Sequence, residues 1–435
     1  MKLAIVGTGY VGLVTGSGFA DLGMEVTCVD IDEGRVRQLQ SGQVPFFEPG
    51  LQDLVKRYVA RGRLRFTRDL GSAVRNAQVV FITVGTPSLP DGNPDLSQIE
   101  SVGKEIAENL DSFKLIVMKS TAPVGTARRL GALIRSQRGP AADIEVAVNP
   151  EFLREGSALE DFMRPNRVII GTETERGARI LKEIYRPLYL IETPFVFTTL
   201  ETAELIKYAA NSFLAVKISY INEIANLCDA LNIDVHIVAK ALGMDRRIGP
   251  KFLHPGPGFG GSCFPKDCRA LVQMGRQANV ELSLVDTALR VNARQHQVVL
   301  YKLRQGLGAL EGKTIAVWGL SFKPNTNDIR ESTAIVICQA LLKEGCRLRA
   351  YDPEVCAEAQ AVLNSERVCF CRGPLETAEA ADAVVLATEW NEFRNLDLAE
   401  VKRAMRGDVL VDSRNVYDIE MVKSLGFRYF GVGRR

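Results

Sequence analysis

Short unbroken apolar runs alternate with amphipathic stretches along the first 150 residues. LAIV (3–6), QVVFITV (78–84), KLIVMKS (114–120) and IEVAVN (144–149) are apolar at most positions in succession rather than at every second one. That pattern predicts central strands covered on both faces, and EVTCVD (25–30) reads as a further strand. Helical patterns separate the runs. The runs end in small or polar residues, Val84-Gly85-Thr86-Pro87, Ser120-Thr121-Ala122-Pro123 and Asn149-Pro150-Glu151, at the strand ends where an open α/β sheet holds ligands. From Thr199 to Leu231 the period changes. Leu205, Ala209, Phe213, Val216, Tyr220 and Ile224 recur at helical spacing with no proline between them, which predicts one long helix, and a second is expected over 283–306. Lys207 and Asn211, four apart, share a face of the first. Strand runs resume at GKTIAVWGL (312–320), CRLRAYDP (346–353), ADAVVLAT (381–388) and GDVLVDSRN (407–415).

The expected architecture is therefore α/β, with two Rossmann-like doubly wound domains joined by a long central helix and a helical region. The expected boundaries are 1–198, 199–308 and 309–435. Long helices with apolar faces are natural dimer surfaces, so the helical region is also the expected site of self-association.

The first strand runs into Gly7-Thr8-Gly9-Tyr10-Val11-Gly12, followed by a small-residue helix. In a strand–turn–helix unit, the first glycine makes the turn, the second admits a pyrophosphate and the third lets the helix pack close. Asp30, at the end of the second strand, can accept both ribose hydroxyls and would repel a 2′-phosphate. NAD is the expected cofactor, although Arg35 close by suits either dinucleotide. The last third has no such glycine pattern, so a second dinucleotide is not expected. Lys323, Arg330 and Arg414 at its strand ends suit a phosphorylated ligand.

With 46% hydrophobic and 24% charged residues in a chain of 435, large cores are expected. The formal net charge of +2 suggests neither a nucleic-acid nor a membrane partner. No apolar run approaches the ~20 residues a membrane span needs. Nine scattered cysteines argue against a disulfide framework and for a reducing, cytoplasmic setting. No metal site is expected: Cys369 and Cys371 lack a second pair, and His236, His254 and His296 are dispersed.

One stretch stands apart, Gly258-Phe259-Gly260-Gly261-Ser262-Cys263-Phe264-Pro265-Lys266-Asp267. Its glycines allow close backbone approach to a ligand, and Pro265 suits the first turn of a helix, which puts Cys263 just before a helix N-terminus. That dipole and Lys266 favour the thiolate, while Asp267 opposes it. A thiol that adds to an aldehyde gives a thiohemiacetal, which loses a hydride to become a thioester. Paired with NAD, such a thiol oxidises a carbonyl to a carboxylate.

The motifs GTGYVGL, STAPVGT, NPEFLREG, KYAANSF, GFGGSCFPKD and FKPNTNDIRES, in this order from Met1 into the last third, resemble the UDP-glucose/GDP-mannose dehydrogenase family. NPEFLREGSALEDF, MDRRIGPKFL and Phe264 look most like its UDP-glucose branch. The GDP-mannose branch tends to have leucine at the place of Phe264 and a histidine near Leu214. N-acetylhexosamine nucleotide dehydrogenases share the same set. The resemblance implies a four-electron oxidation of UDP-glucose to UDP-glucuronate with two NAD and one water. Cys263 is then the nucleophile, Lys207 and Asn211 the oxyanion donors, and Asp267 a residue that orders water. Glu151 and Glu155 are the acid/base candidates, with Thr121 bonding in the same site. NAD contacts are implied at Gly7, Gly9, Tyr10, Val11, Gly12, Asp30, Arg35, Thr86, Thr121, Glu155, Lys266 and Arg330. Sugar-nucleotide contacts are implied at Phe152, Leu153, Glu155, Lys207, Asn211, Phe252, Gly260, Phe322, Lys323 and Arg414. Arg247 would reach the neighbouring site of a homodimer. Two other classes compete. A one-step β-hydroxyacid dehydrogenase needs a lysine and an asparagine but no thiol, and a nucleotide-sugar sensor needs neither thiol nor turnover.

Overall fold

In the computed structural model of the chain, which describes residues 1–139 and 142–434, two compact units separate. One comprises Met1–Ala210 with Arg269–Val280, and the other Asn211–Cys268 with Glu281–Arg435.

In the first unit the strands are β1 (Lys2–Val6), β2 (Glu25–Val29), β3 (Leu64–Thr67), β4 (Val79–Ile82), β5 (Lys114–Met118), β6 (Ile144–Val148), β7 (Val168–Thr172) and β8 (Phe195–Thr198). They form one sheet in the order β3-β2-β1-β4-β5-β6-β7-β8. The first six run parallel in the doubly wound order 3-2-1-4-5-6, which opens a ligand crevice where β1 meets β4. Alternate residues of the same strands feed two cores. Leu3, Ile5, Phe81 and Leu115 pack on one face, and Ala4, Val6, Val80 and Ile116 on the other. This two-sided burial is why the runs are apolar at successive positions and not only at alternate ones. β7 pairs antiparallel with β6 and parallel with β8.

The second unit carries β9 (Thr314–Trp318), β10 (Arg347–Tyr351), β11 (Val368–Phe370), β12 (Ala383–Leu386), β13 (Val409–Asp412) and β14 (Arg428–Gly431), all parallel, in the order β11-β10-β9-β12-β13-β14. Its two faces are again separate cores, one on Ile315, Val317 and Val385, the other on Ala316, Trp318 and Val384. The long helix Leu200–Leu231 begins in the first unit and continues in the second. Within the second unit it is tied to the helix Ser283–Leu307 by Ser219 Oγ donating to Ala288 O at 2.8 Å and Asn226 Nδ2 donating to Gln295 Oε1 at 3.1 Å. Among the described residues, no helix is long and apolar enough to cross a membrane.

Candidate active site

The turn after β1 is built for a dinucleotide. The Thr83 hydroxyl donates to Val6 O at 2.9 Å and lies 2.8 Å from Gly7 O, which fixes the turn against β4. A Cβ on Gly12 would fall 1.8 Å from Gly7 O, so only glycine lets the helix Tyr10–Asp21 start this close to the strand. A Cβ on Gly9 would meet nothing within 4 Å, which leaves the outer side of the turn open at the helix N-terminus. Asp30 follows β2, and its Oδ2 accepts from Thr8 N at 2.8 Å, Thr8 Oγ1 at 2.6 Å and Arg35 at 3.2 Å. Burial would raise its pKa, but these donors and the Asp32 N–H outweigh that and hold it below the usual carboxylate range. An ionised acid beside an open glycine turn fits NAD. Thr86 Oγ1 donates to Thr121 O at 2.7 Å, which joins the ends of β4 and β5.

At the end of β6 in the same unit, Glu151 and Lys207 form a buried ion pair, Oε1 to Nζ, at 2.8 Å. Glu151 Oε2 accepts from Leu153 N at 2.6 Å. Burial pushes the Glu151 pKa up, but the Lys207 charge and hydrogen bond, the Leu153 N–H and the charge of Lys119 prevail and hold it down. Lys119 closes β5 and donates to Asn149 Oδ1 at 3.0 Å, where the Tyr185 hydroxyl also donates at 2.5 Å. Burial lowers the Lys119 pKa to about 8, with Glu151 pulling it up and Lys207 pushing it down. Phe152 carries the Arg167 guanidinium 3.8 Å from its ring centroid and Lys207 Nζ at 5.3 Å. Lys119, Asn149, Glu151, Phe152, Arg167 and Tyr185 line a small cleft. Lys119, Tyr185 and Arg167 were not singled out from the sequence. For Lys119 a signal existed: it is a charge closing an apolar strand.

In the second unit, the Cys263 carbonyl accepts from Asp267 N at 2.8 Å, which makes Cys263 the residue that opens the helix Phe264–Gln277. Pro265 falls in its first turn, as expected. The sulfur lies 3.5 Å from Ser262 Oγ. Asp267 is almost fully buried, accepting from Asn211 Nδ2 at 2.6 Å on one oxygen and from Lys266 Nζ at 2.8 Å on the other. The glycines serve the fold directly. A Cβ on Gly260 would lie 2.2 Å from Glu331 O, and one on Gly261 would lie 2.6 Å from the Phe322 ring. With Gly261 N donating to Arg330 O at 2.9 Å, the cysteine loop is seated on the segment FKPNTNDIRES. Phe252 has φ 64°, strained for a non-glycine residue, and its ring centroid is 6.1 Å from that of Phe264.

The remaining expected ligands are placed as follows. Arg414 is held by Glu389 at 3.0 Å and donates to Ala387 O at 2.8 Å. Arg330 pairs with Asp328 at 2.7 Å, and Lys323 Nζ stands 5.3 Å from the Phe322 centroid. Arg247 is exposed and paired with Asp245 at 2.6 Å, just past the helix Val235–Met244. Among the described residues no cluster of His, Cys, Asp or Glu is gathered for a metal.

The second sheet repeats the acid of the first. Asp352 follows β10, and its Oδ2 accepts from Leu320 N at 2.7 Å, Ser321 N at 2.9 Å, Ser321 Oγ at 2.8 Å and the buried indole of Trp390 at 3.1 Å. Where Asp30 is met by Arg35 from the helix just after its strand, Asp352 is met by a tryptophan from past the end of β12.

Family models of the UDP-glucose/GDP-mannose dehydrogenases match in three parts: the NAD binding domain over residues 1–189, the central domain over 201–294 and the UDP binding domain over 316–419. A UDP-glucose 6-dehydrogenase of Rhizobium meliloti (strain 1021) is 50% identical, with both chains covered completely. A UDP-glucose dehydrogenase structure from Pyrobaculum islandicum is 37% identical at a TM-score of 0.92, covering 100% of this chain and 98% of that one. A UDP-D-ManNAc dehydrogenase structure from Pyrococcus horikoshii is 29% identical at 0.87, covering 100% and 99%. With three family models in register along nearly all of its length and a full-length relative at this identity, the chain belongs to the UDP-glucose/GDP-mannose dehydrogenase family.

Proposed function

We propose that the chain is an NAD-dependent UDP-glucose 6-dehydrogenase, taking the C6 alcohol of UDP-glucose to the carboxylate of UDP-glucuronate in two successive two-electron steps. The observation that carries this is the cysteine at a helix N-terminus beside a buried Asp267 held by Asn211. A one-hydride dehydrogenase needs no such thiol. The substrate follows the full-length relatives, which are UDP-glucose 6-dehydrogenases.

The glycine turn with Asp30, Arg35, Thr86 and Thr121 holds the cofactor, and NAD, when bound, supplies the acceptor for a hydride from C6 in each oxidation. The chain's own residues do the rest. Cys263 Sγ adds to the C6 aldehyde, and the oxidised adduct is a thioester that water cleaves, returning the thiol and leaving the carboxylate. Lys207 and Asn211, one turn apart on a single helix, donate to the C6 oxygen as it gains negative charge. Glu151 keeps Lys207 oriented and, with Glu155 and Asp267, is a candidate for removing the proton from the alcohol or the attacking water. Phe252, Gly260, Phe322, Lys323 and Arg414 in the second unit, and Phe152 and Leu153 in the first, are the candidate sugar-nucleotide contacts.

The working division is a cofactor segment at 1–198, a central segment at 199–308 and a UDP-sugar segment at 309–435, in a cytoplasmic homodimer with Arg247 turned to the partner's site. Exposed Phe213, Tyr220 and Leu227, seven residues apart on the long helix, support the dimer.

The test is a panel of UDP-glucose, GDP-mannose and UDP-N-acetylhexosamines, counting NADH per sugar consumed. Two NADH with UDP-glucose alone, and loss of turnover in Cys263→Ser, are expected. One NADH per sugar, full two-step turnover without the thiol, or preference for another sugar nucleotide would overturn the reading.

A further inference from the structure

Glu48 lies in the loop that leads into the helix Leu51–Ala60 and takes no part in the chemistry above, yet its carboxylate is buried and engaged on both oxygens. Oε2 accepts from the Tyr10 hydroxyl and from Gly156 N at 2.6 Å, and Oε1 accepts from Ala158 N at 2.8 Å. Gly156 N also reaches the Tyr10 oxygen at 2.9 Å. Three segments far apart in sequence therefore meet on one carboxylate within the first unit. Tyr10 is the first residue of the helix whose N-terminus faces the dinucleotide turn. Gly156 and Ala158 close the loop that opens at Glu151 and carries Glu155. The Tyr10 ring sits against Phe46 of the Glu48 loop, with centroids 5.1 Å apart. Burial, then Glu48 and Glu155, push the phenol pKa far above its ordinary value, so the hydroxyl stays a donor. Glu155 is thus close enough for its charge to act on the residue that opens the cofactor helix.

Glu151 is held at its end of the loop by Lys207 and Leu153. The other end has Glu48 and Tyr10. A buried carboxylate that loses one donor bears the desolvation cost unrelieved, so these groups are expected to shift together rather than singly.

We propose that Glu48 is a positioning residue: through Tyr10 it couples occupancy of the dinucleotide turn to the placement of the loop 150–158 that carries Glu151 and Glu155. This rests on the reading that the first unit holds NAD.

The test is amide hydrogen exchange of the loop peptides in the whole protein, with and without saturating NADH, alongside NADH binding followed by nicotinamide fluorescence. In the unsubstituted protein NADH is expected to slow exchange across 150–158 by about tenfold, the scale of one lost or gained hydrogen bond. In Tyr10→Phe, which keeps the ring on Phe46, and in Glu48→Gln, most of that slowing is expected to vanish when each variant is compared at the NADH concentration that completes its own fluorescence titration. If Glu48→Gln fails to fold, Tyr10→Phe decides alone. Equal slowing in Tyr10→Phe, or NADH binding without slowing in the unsubstituted protein, overturns the coupling. Absence of NADH binding to the unsubstituted protein overturns the coupling and the cofactor reading together.

Discussion

Lys207 is the residue on which the site's electrostatics turn. Its ammonium neutralises Glu151 where neither group meets bulk water, so Lys207→Met leaves a buried carboxylate with the Leu153 N–H and the more distant charge of Lys119. Breaking such a pair costs about 3–5 kcal/mol, and losing an oxyanion donor lowers kcat on the order of 10²–10³-fold. The double variant Lys207→Met/Glu151→Gln tests the stability effect by itself, since Glu151 is also an acid/base candidate. Thermal melting is expected to recover most of the lost stability, because the orphan charge is gone, while kcat stays low. Recovery of both would remove Lys207 from the chemistry. Lys207, Asn211, Cys263 and Asp267 could be named from sequence because the motifs that carry the resemblance contain them, and the structure adds that Lys207 and Asp267 are buried and paired. Tyr185 and Glu48 could not, since their partners stand tens of residues away and neither position breaks a local pattern.

Elements were read well where periodicity ran long. The helix expected over 199–231 is observed at Leu200–Leu231, and every apolar run named from the sequence became a strand. Edge strands such as β3 and β11, four and three residues long, gave too little pattern to see. The reversed direction of β7 left no mark either, because a strand covered on both faces is apolar whichever way it runs. The long helix also caps another element. Glu204 accepts from Gly125 N at 2.6 Å and Ala127 N at 2.8 Å, at the start of the helix Thr126–Arg138 that follows the Thr121 loop. Burial pushes its pKa up to about 7, against those two N–H donors. A carboxyl raised in the fold binds its proton there while the unfolded chain has lost it. Its contribution is therefore favourable at low pH and declines as pH rises through roughly 4.5 to 7. Glu204→Gln removes this slope. The loss of unfolding free energy between pH 5 and pH 7.5, measured in urea, is expected to be smaller in the variant by on the order of 2 kcal/mol. An unchanged difference would show that the two N–H donors keep Glu204 ionised throughout.

For the whole molecule, the stripe of Phe213, Tyr220 and Leu227 predicts self-association. Analytical ultracentrifugation is expected to give the mass of two chains for the unsubstituted protein and of one for Phe213→Asp, with far-UV circular dichroism unchanged. A single-chain mass in both would remove the homodimer from the proposal. The two-domain α/β plan was legible because both sheets write the same alternation of apolar run and helix. The division of compact units within the long helix was not, because nothing in its period changes between Ala210 and Asn211. The two sheets share one bonding pattern at an aspartate. Asp30 and Asp352 follow the second strand of their sheets and bond the same kind of partners, a hydroxyl residue and main-chain N–H groups just past the first strand. Beside Asp30 the last partner is a partly exposed arginine that can swing aside, whereas beside Asp352 it is a buried indole that cannot. The same strand-end carboxylate thus leans on a movable cation in one sheet and on a fixed wall in the other, and a motif that scored only the acid would not tell the two apart.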